Sequence, residues 1–486
     1  MRWLTRMTDH AMNDRSVRAW TLALTSLAFF MVALDTLIVI TALPAIQRDL
    51  GASLATLAWT VNAFTLTFAG GIITAAALGD RYGRRRIFVI GVSVFGAASA
   101  ACALAPTATL LIAARVVQGA AAAMVMPISL TLLISAFPKE RRGAIVGMWG
   151  GIAGIAVISG PLVGGAITQG LNWHWIFWIN LPIAVVAAAL ASVRLTETRG
   201  PATRLDPVAV LLITGGAVAI VWGLLRAGER GWAEIGALGA LAMGAVAIAA
   251  FFMWERRAED PMVPLRVFRS SGFFASTVAG FWMAGSSAAA TFLMVQYLQT
   301  ALGLSPLEAG SRLSPWTGGP LVIAPLAGKV SDHIRRRAVL AFGLLVQGIG
   351  LGLLATRATS HATYADLFLP LVVGGMGISI AVTIAPTAAV SAVSHDDVGK
   401  ASGVSGTMQR FGSAFGIAVA SAVFASSGSL DSPEGVVSGV RPALLVVAGM
   451  SLLGALAALG ISRKQMPLDR LQHHLAPRPS ADGGNS

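Results

Sequence analysis

WTLALTSLAFFMVALDTLIVITALP, from Trp20 to Pro44, is a run of twenty-five residues with one charge, Asp35. About 20 consecutive apolar residues cross the hydrocarbon of a bilayer as a helix. The stretch therefore reads as a membrane span with a carboxylate inside it. An ionisable group at that depth is costly, faces a cavity or a partner, and marks a functional site by default. Arg115, within another apolar run, is the candidate partner. Two plainer readings stand beside this one: a static ion pair, or a carboxyl that simply stays protonated.

The rest of the chain repeats the pattern. Of 486 residues, 55% are hydrophobic and 12% charged, against roughly 25% charged in a soluble domain. Apolar runs place fourteen spans at about 19–43, 54–78, 87–105, 108–136, 143–169, 174–193, 207–227, 236–254, 273–300, 313–331, 338–356, 365–393, 400–426 and 441–461. Backbone groups in lipid must be satisfied within the segment, which excludes open sheets. The expected fold class is an all-α polytopic membrane protein. The first run is longer than the apolar core of a signal peptide and reads as a retained helix.

Charge orients the bundle. With the termini and every second loop on one side, 27 Lys and Arg fall on that side and 6 on the other; Arg115 and Arg410 lie within spans. Basic residues gather on the cytoplasmic side, so both termini are expected in the cytoplasm of a multi-pass plasma-membrane protein. The net charge of +13 then reflects topology, and no nucleic-acid partner is expected. Cys102 is the only cysteine, which leaves no intramolecular disulfide and no cysteine-based metal site. Neither a metal nor a cofactor is expected.

The loops after spans 2 and 10 resemble each other: Gly79-Asp80-Arg81-Tyr82-Gly83-Arg84-Arg85-Arg86 and Gly328-Lys329-Val330-Ser331-Asp332-His333-Ile334-Arg335-Arg336-Arg337. Each puts an acid at a helix end and an Arg triplet beyond it. A six-helix unit repeated in parallel, with two helices inserted between, explains this, and such repeats mark secondary transporters. The expected organisation is a cytoplasmic N-terminus (1–18), a six-helix bundle (19–193), a linker with two additional helices (194–260), a second six-helix bundle (261–461) and a disordered tail (462–486).

Further motifs recur in order. They are Leu34-Asp35 with Ala42-Leu43-Pro44, the Gly79–Arg86 loop, Arg115-Val116-Val117-Gln118-Gly119, and Gly154 with Gly160-Pro161 and Gly164-Gly165. Asn172-Trp173-His174-Trp175-Ile176-Phe177 with Asn180-Leu181-Pro182, and Gly399-Lys400-Ala401-Ser402-Gly403 with Arg410, follow. Over nearly its whole length the chain resembles the fourteen-helix drug:proton antiporters of the major facilitator superfamily. The resemblance implies two six-helix bundles plus two inserted helices, and export of an amphipathic drug, antibiotic or secreted metabolite by alternating access.

It also implies roles. Asp35 and Arg115 would couple the proton. Asp80, Arg81, Gly83 and Arg84 would form a cytoplasmic latch against the facing bundle. Gly154, Gly160, Pro161, Gly164 and Gly165 would form the antiporter motif, which separates exporters from importers. The chain departs from the branch pattern at Leu37 and Ile40, where Thr and Asn are usual, at Phe64 for Tyr, at Ala76 for Gly and at His174 for Arg. The first two make the site less polar. The Trp-rich start of span 6 suits an interfacial anchor. Candidate cavity residues are Trp59, Phe64, Gln118, Gln296, Tyr297, Gln299, Gln409 and Arg410.

Depth supports the Asp35–Arg115 pairing. With span 1 ending near Pro44 and span 4 starting near Thr107, each charge lies about 12 Å below the same membrane face, at 1.5 Å per residue. Asp35 would take a proton from outside and release it inward. The expected partners are the lipid bilayer, protons and a small amphipathic molecule, with the chain acting as a monomer. Other readings are a proton symporter importing a small nutrient and a non-transporting membrane sensor on the same fold. No nucleophile motif, His-Glu-x-x-His or phosphate-binding loop favours an enzyme.

Overall fold

A computed structural model describes residues 2–138, 141–200, 206–258, 261–263, 265–320, 323, 326–327, 335–394 and 397–461. The architecture is all helical. The first six helices are α1 (Arg2–Leu50), α2 (Leu54–Tyr82), α3 (Arg84–Ala103), α4 (Ala108–Ala136), α5 (Arg142–Gly170) and α6 (Asn180–Arg194), the last preceded by a single turn at Trp175–Trp178. The hairpin α7 (Pro207–Arg230) and α8 (Ile235–Arg257) follows. The last six are α9 (Ser271–Gln296), α10 (Pro306–Arg312), α11 (Arg336–Arg357), α12 (Tyr364–Val390), α13 (Val398–Ser427) and α14 (Pro433–Leu459).

Among the described residues thirteen helical segments are long and apolar enough to cross a membrane. The fourteenth expected span, at about 313–331, falls partly outside the described residues, at 321–322, 324–325 and 328–331, and the loop at 328–334 and the tail from 462 lie outside them altogether. Helix starts follow local chemistry. Ser53, Thr107, Asp206, Ser270 and Ser432 each accept a hydrogen bond from a backbone N–H of the first turn, satisfying donors that have no partner within the helix. At the α7–α8 turn the Arg226 guanidinium, with help from the Ala237 N–H, holds the Glu234 carboxyl down at about 2.

Helix α1 corrects an expectation. It continues through Pro44 to Leu50 and does not stop near Pro44. Proline in a helix removes one backbone donor and crowds the preceding turn. Here the Thr41 carbonyl, in that turn, accepts a 2.8 Å bond from Gln299 Nε2, and the Pro44 carbonyl accepts one from Arg48. The carbonyl that Pro44 leaves without its helical donor is that of Ile40, one turn back, and membrane helices tolerate such a gap.

Helices α1–α6 pack mostly among themselves, as do α9–α14; α2 and α13 meet between the groups, and α7 lies against both. At the Leu50 end, α5 meets α10 so closely that a Cβ on Gly165 would collide with the Pro306 carbonyl and one on Gly310 with the Pro161 carbonyl. Gly160 and Gly164 face Leu37 and Ile38 of α1 at similarly short range. Leu307 N–H donates to Gln169, so this end of the bundle is closed by backbone contact and by the Gln299–Thr41 bond. Toward the other end of α5, Gly147, Gly150, Gly151 and Gly154 have no described atom within 4 Å of a built Cβ. Gly154 therefore differs from the rest of its expected motif: in this conformation it brings no described neighbour close.

This contrast predicts a graded response. Gly165→Val should cost about 1–3 kcal/mol by overpacking, seen as a lower midpoint of thermal unfolding in detergent. Gly154→Ala should leave the midpoint unchanged or raise it slightly, because Ala is the better helix former. Equal tolerance of both changes would contradict the packing described for the Leu50 end.

Candidate functional site

Asp35 lies in α1, fully buried, and both its oxygens are occupied. Oδ2 accepts from Arg115 Nη1 at 2.6 Å. Oδ1 accepts from Gln118 Nε2 at 3.0 Å and from Asn180 Nδ2 at 2.8 Å. Arg115 is also fully buried. Its Nη1 donates to Gln118 Oε1 at 2.7 Å and its Nε to the Thr60 carbonyl at 3.1 Å. Ser99 Oγ accepts from both amides, Gln118 at 2.8 Å and Asn180 at 2.9 Å.

The cluster is thus built by four helices, α1, α3, α4 and α6, with a fifth, α2, supplying Thr60 and Phe64. Arg115 and Gln118 share a face of α4 because positions three apart on a helix are neighbours. The guanidinium lies 4.2 Å from the Phe64 ring centroid and 5.9 Å from that of Phe177, geometry at which an aromatic face attracts a cation. Cys102 abuts the cluster, its thiol 3.7 Å from Gln118 Oε1. The arrangement converges three donors on a buried carboxyl group. Every donor aimed at Asp35 suits the charged form of a carboxyl group.

The expected Asp35–Arg115 pairing is present, with Gln118 inside the cluster instead of along an open cavity. Sequence reading missed Asn180 and Ser99 as site residues. The Asn180-Leu181-Pro182 motif was the available signal for the first, read as an anchor. Ser99 carries no signal of its own, since a lone serine in an apolar helix is common.

The other candidates disperse. Trp59 is half-buried and lines a separate cavity of about 180 Å³ with Trp222 and Glu229. Gln296 is fully buried, and its amide has no partner among the described residues. Tyr297 is fully buried, and its hydroxyl donates to the Thr359 carbonyl at 2.7 Å and accepts from Thr359 N–H at 3.0 Å, pinning the turn between α11 and α12. Gln299 ties α9 to α1 at the Thr41 carbonyl. Gln409 donates to Ser405 on its own helix and packs over Gly280 of α9. Arg410, beside it in sequence, instead reaches toward α2 and α4, with its guanidinium 4.5 Å from the Phe68 ring centroid and 3.8 Å from Met126 Sδ.

The expected latch residues also find different partners. Asp80 bonds Arg84 at 2.7 Å, and its carbonyl accepts from Gly200 N–H. Arg81 lies over its neighbour Tyr82. Gly83 adopts φ +111°, and a Cβ there would strike the Glu197 carboxylate. That carboxylate accepts from the Arg85 and Arg86 N–H groups, and Arg84 N–H donates to the Thr198 carbonyl. The described contacts of the loop therefore run to the segment after α6, not to the facing bundle. A free pair of N–H groups at the start of α3 attracts the acid at position 197, which sequence reading had not singled out.

The sequence matches the Major Facilitator Superfamily profile over residues 25–283 and 276–480. It is 35% identical over 413 residues to the tetracenomycin C resistance and export protein of Streptomyces glaucescens, covering 84% of this chain and 76% of that protein. It is 33% identical over 436 residues to the methylenomycin A resistance protein of Streptomyces coelicolor, covering 88% and 89%. A puromycin resistance protein of Streptomyces alboniger is 32% identical over 462 residues, covering 91% and 90%. Among solved structures, a peptide transporter superposes with a TM-score of 0.67 at 16% identity, covering 90% of this chain and 93% of that one. A bacterial homologue of the lysosomal transporter Spinster, in an inward-facing conformation, gives 0.64 at 16% identity, covering 92% and 98%. These two likenesses concern the fold.

Removing one partner of a buried ion pair leaves an uncompensated charge and costs about 3–5 kcal/mol, whereas replacing both is far milder. Arg115→Leu should accordingly lower the thermal midpoint in detergent more than the double change Asp35→Leu with Arg115→Leu. A double variant no more stable than Arg115→Leu alone would contradict the coupling seen here.

Proposed function

The chain belongs to the Major Facilitator Superfamily, and from that premise we propose that it is an efflux transporter, exporting an amphipathic small molecule in exchange for protons. The single observation that carries the coupling is the state of Asp35: a carboxylate shut away from water whose two oxygens take three hydrogen bonds, one from Arg115. Support for export comes from relatives named for antibiotic resistance and export.

The cycle follows from geometry. In this conformation the Leu50 end, taken as the outer face, is closed by α5 against α10 and by Gln299 on Thr41. The scheme assigns this conformation to the proton-released step. Opening the outer face requires α5 to leave α10. Helix α1 packs on α5 through Leu37 and Ile38, one turn from Asp35, so the same movement strains the Asp35 cluster. A carboxylate that loses its donors in an apolar interior is neutral, so Asp35 takes a proton from outside as Arg115 and the amides withdraw. Return to the closed form restores the donors and expels the proton inward.

Glycines 160, 164 and 165 with Pro161 make the outer seal in this scheme, and the Asp80–Arg84 loop, stapled by Glu197, fixes the cytoplasmic ends of α2 and α3 as one unit. Both termini lie in the cytoplasm. Asp35→Asn keeps two hydrogen-bonding atoms but cannot carry the proton. In inverted membrane vesicles from a host sensitised to antibiotics, compared at matched amounts of folded protein, the variant should lose pH-gradient-driven accumulation of the drugs the wild type transports, by at least tenfold. Undiminished gradient-driven accumulation would overturn the assignment of Asp35.

A further inference from the structure

Two guanidinium groups stand well inside the bundle, and among the described residues only one of them has an acid. Arg115 is matched by Asp35. Arg410 of α13, half-buried, meets the ring of Phe68 and the sulfur of Met126, and among the described residues no carboxylate pairs with it. It stands twelve residues into its helix, about 18 Å at 1.5 Å per residue, and Phe68 stands fourteen residues from either end of α2. A cation so placed is costly unless it faces a cavity or a counter-charge. An aromatic face and a thioether offset part of that cost but supply no negative charge.

The surroundings indicate what the missing partner is. Arg410 crosses from the second group of six helices to the first, at the seam where Thr407 and Ala69 also approach. This is the surface that alternating access must open and close. Phe68 packs edge-on against Phe64 at 5.8 Å between centroids, and Phe64 carries the Arg115 guanidinium on its face. The unmatched cation is thus separated from the proton site by two touching rings on successive turns of α2. Among the described residues no acid stands in the seam beside Arg410, which leaves the transported molecule as the source of a counter-charge.

We propose that Arg410 is an anion-binding subsite for the transported molecule, and that the cargo class is an amphipathic aromatic acid. Its carboxylate or phenolate takes the guanidinium, and its ring packs beside Phe68 and Met126. The proposal rests on the export reading above and extends it to the chemistry of the cargo. It also fixes a charge count. One monoanion leaving and one proton entering move two positive charges inward per cycle, so the membrane potential drives export together with the pH gradient. A neutral cargo would move one charge, and a monovalent cation none.

The test compares ligands of one ring and three charges. The full chain in phosphatidylcholine nanodiscs is titrated with 1-pyrenebutyrate, its methyl ester and pyrenebutyl-trimethylammonium, each corrected for partition into empty discs. The carboxylate should bind at least tenfold tighter than the ester. Arg410→Gln should abolish that preference, and Arg410→Lys, which keeps the charge but not the planar fork, should retain part of it. Wild type that binds the ester or the ammonium as tightly as the carboxylate would overturn the proposal, as would a preference surviving in Arg410→Gln. A chain that keeps the preference yet moves no drug against a pH gradient would sink the exchange reading and leave the subsite standing.

Discussion

The rest of the structure is arranged around one ion pair kept from water. Taking Asp35 and Arg115 out of solvent costs several kcal/mol per ion, recovered only where geometry is good and the remaining polar atoms are satisfied. Here they are: Gln118 and Asn180 complete Asp35, while Thr60 and Gln118 complete Arg115. Ser99 fixes both amides. Such a network is worth most when every member is satisfied and is costly when one is not. It therefore constrains α1, α3, α4 and α6 to one mutual position, and a shift in any of them is felt at the carboxylate.

The two seams between the helix groups differ in kind, and the difference suits a transporter. Where α5 meets α10, backbone touches backbone because Gly165 and Gly310 leave no side chain between. Contacts of that type are lost or made as a block, since close-packed surfaces do not deform gradually. Where α2 meets α13, the contact includes Arg410 over Phe68 and Thr407 near the Ala69 carbonyl, groups that can exchange partners. The α7–α8 hairpin lies along this second seam, Thr214 against Gly70 of α2 and Ala422 of α13 against Gly228. Many side chains of α8 remain exposed, among them Ile235, Met243 and Val246, as expected of a face turned to lipid.

Much of this was legible in the sequence, for identifiable reasons. Helices in lipid announce themselves by length and apolarity, and charges inside them are so costly that Asp35 and Arg115 stand out unaided. Their pairing follows from depth, although α1 runs on past Pro44 to Leu50. Pro44 looks like a helix end in sequence and is not one, because a proline costs a membrane helix one backbone bond without ending it. Asn180 and Ser99 stayed hidden because small polar groups in membrane helices are cheap and frequent. The cavity candidates Tyr297 and Gln299 were misplaced for a related reason: polarity shows that a side chain needs a partner but not whether the partner is cargo or a carbonyl of another helix. Gly154 shares the spacing of its motif without sharing its packing, since periodicity does not say which neighbours a given conformation brings close.

The central claim is that Asp35 itself binds and releases the transported proton. Infrared difference spectra of the purified protein between neutral and acid pH test it most directly, because a protonated carboxyl in an apolar site gives a carbonyl band distinct from that of solvated acids. The account predicts such a band on acidification, shifted by isotope labelling of aspartate and missing from Asp35→Asn. Identical difference spectra for wild type and Asp35→Asn would contradict it.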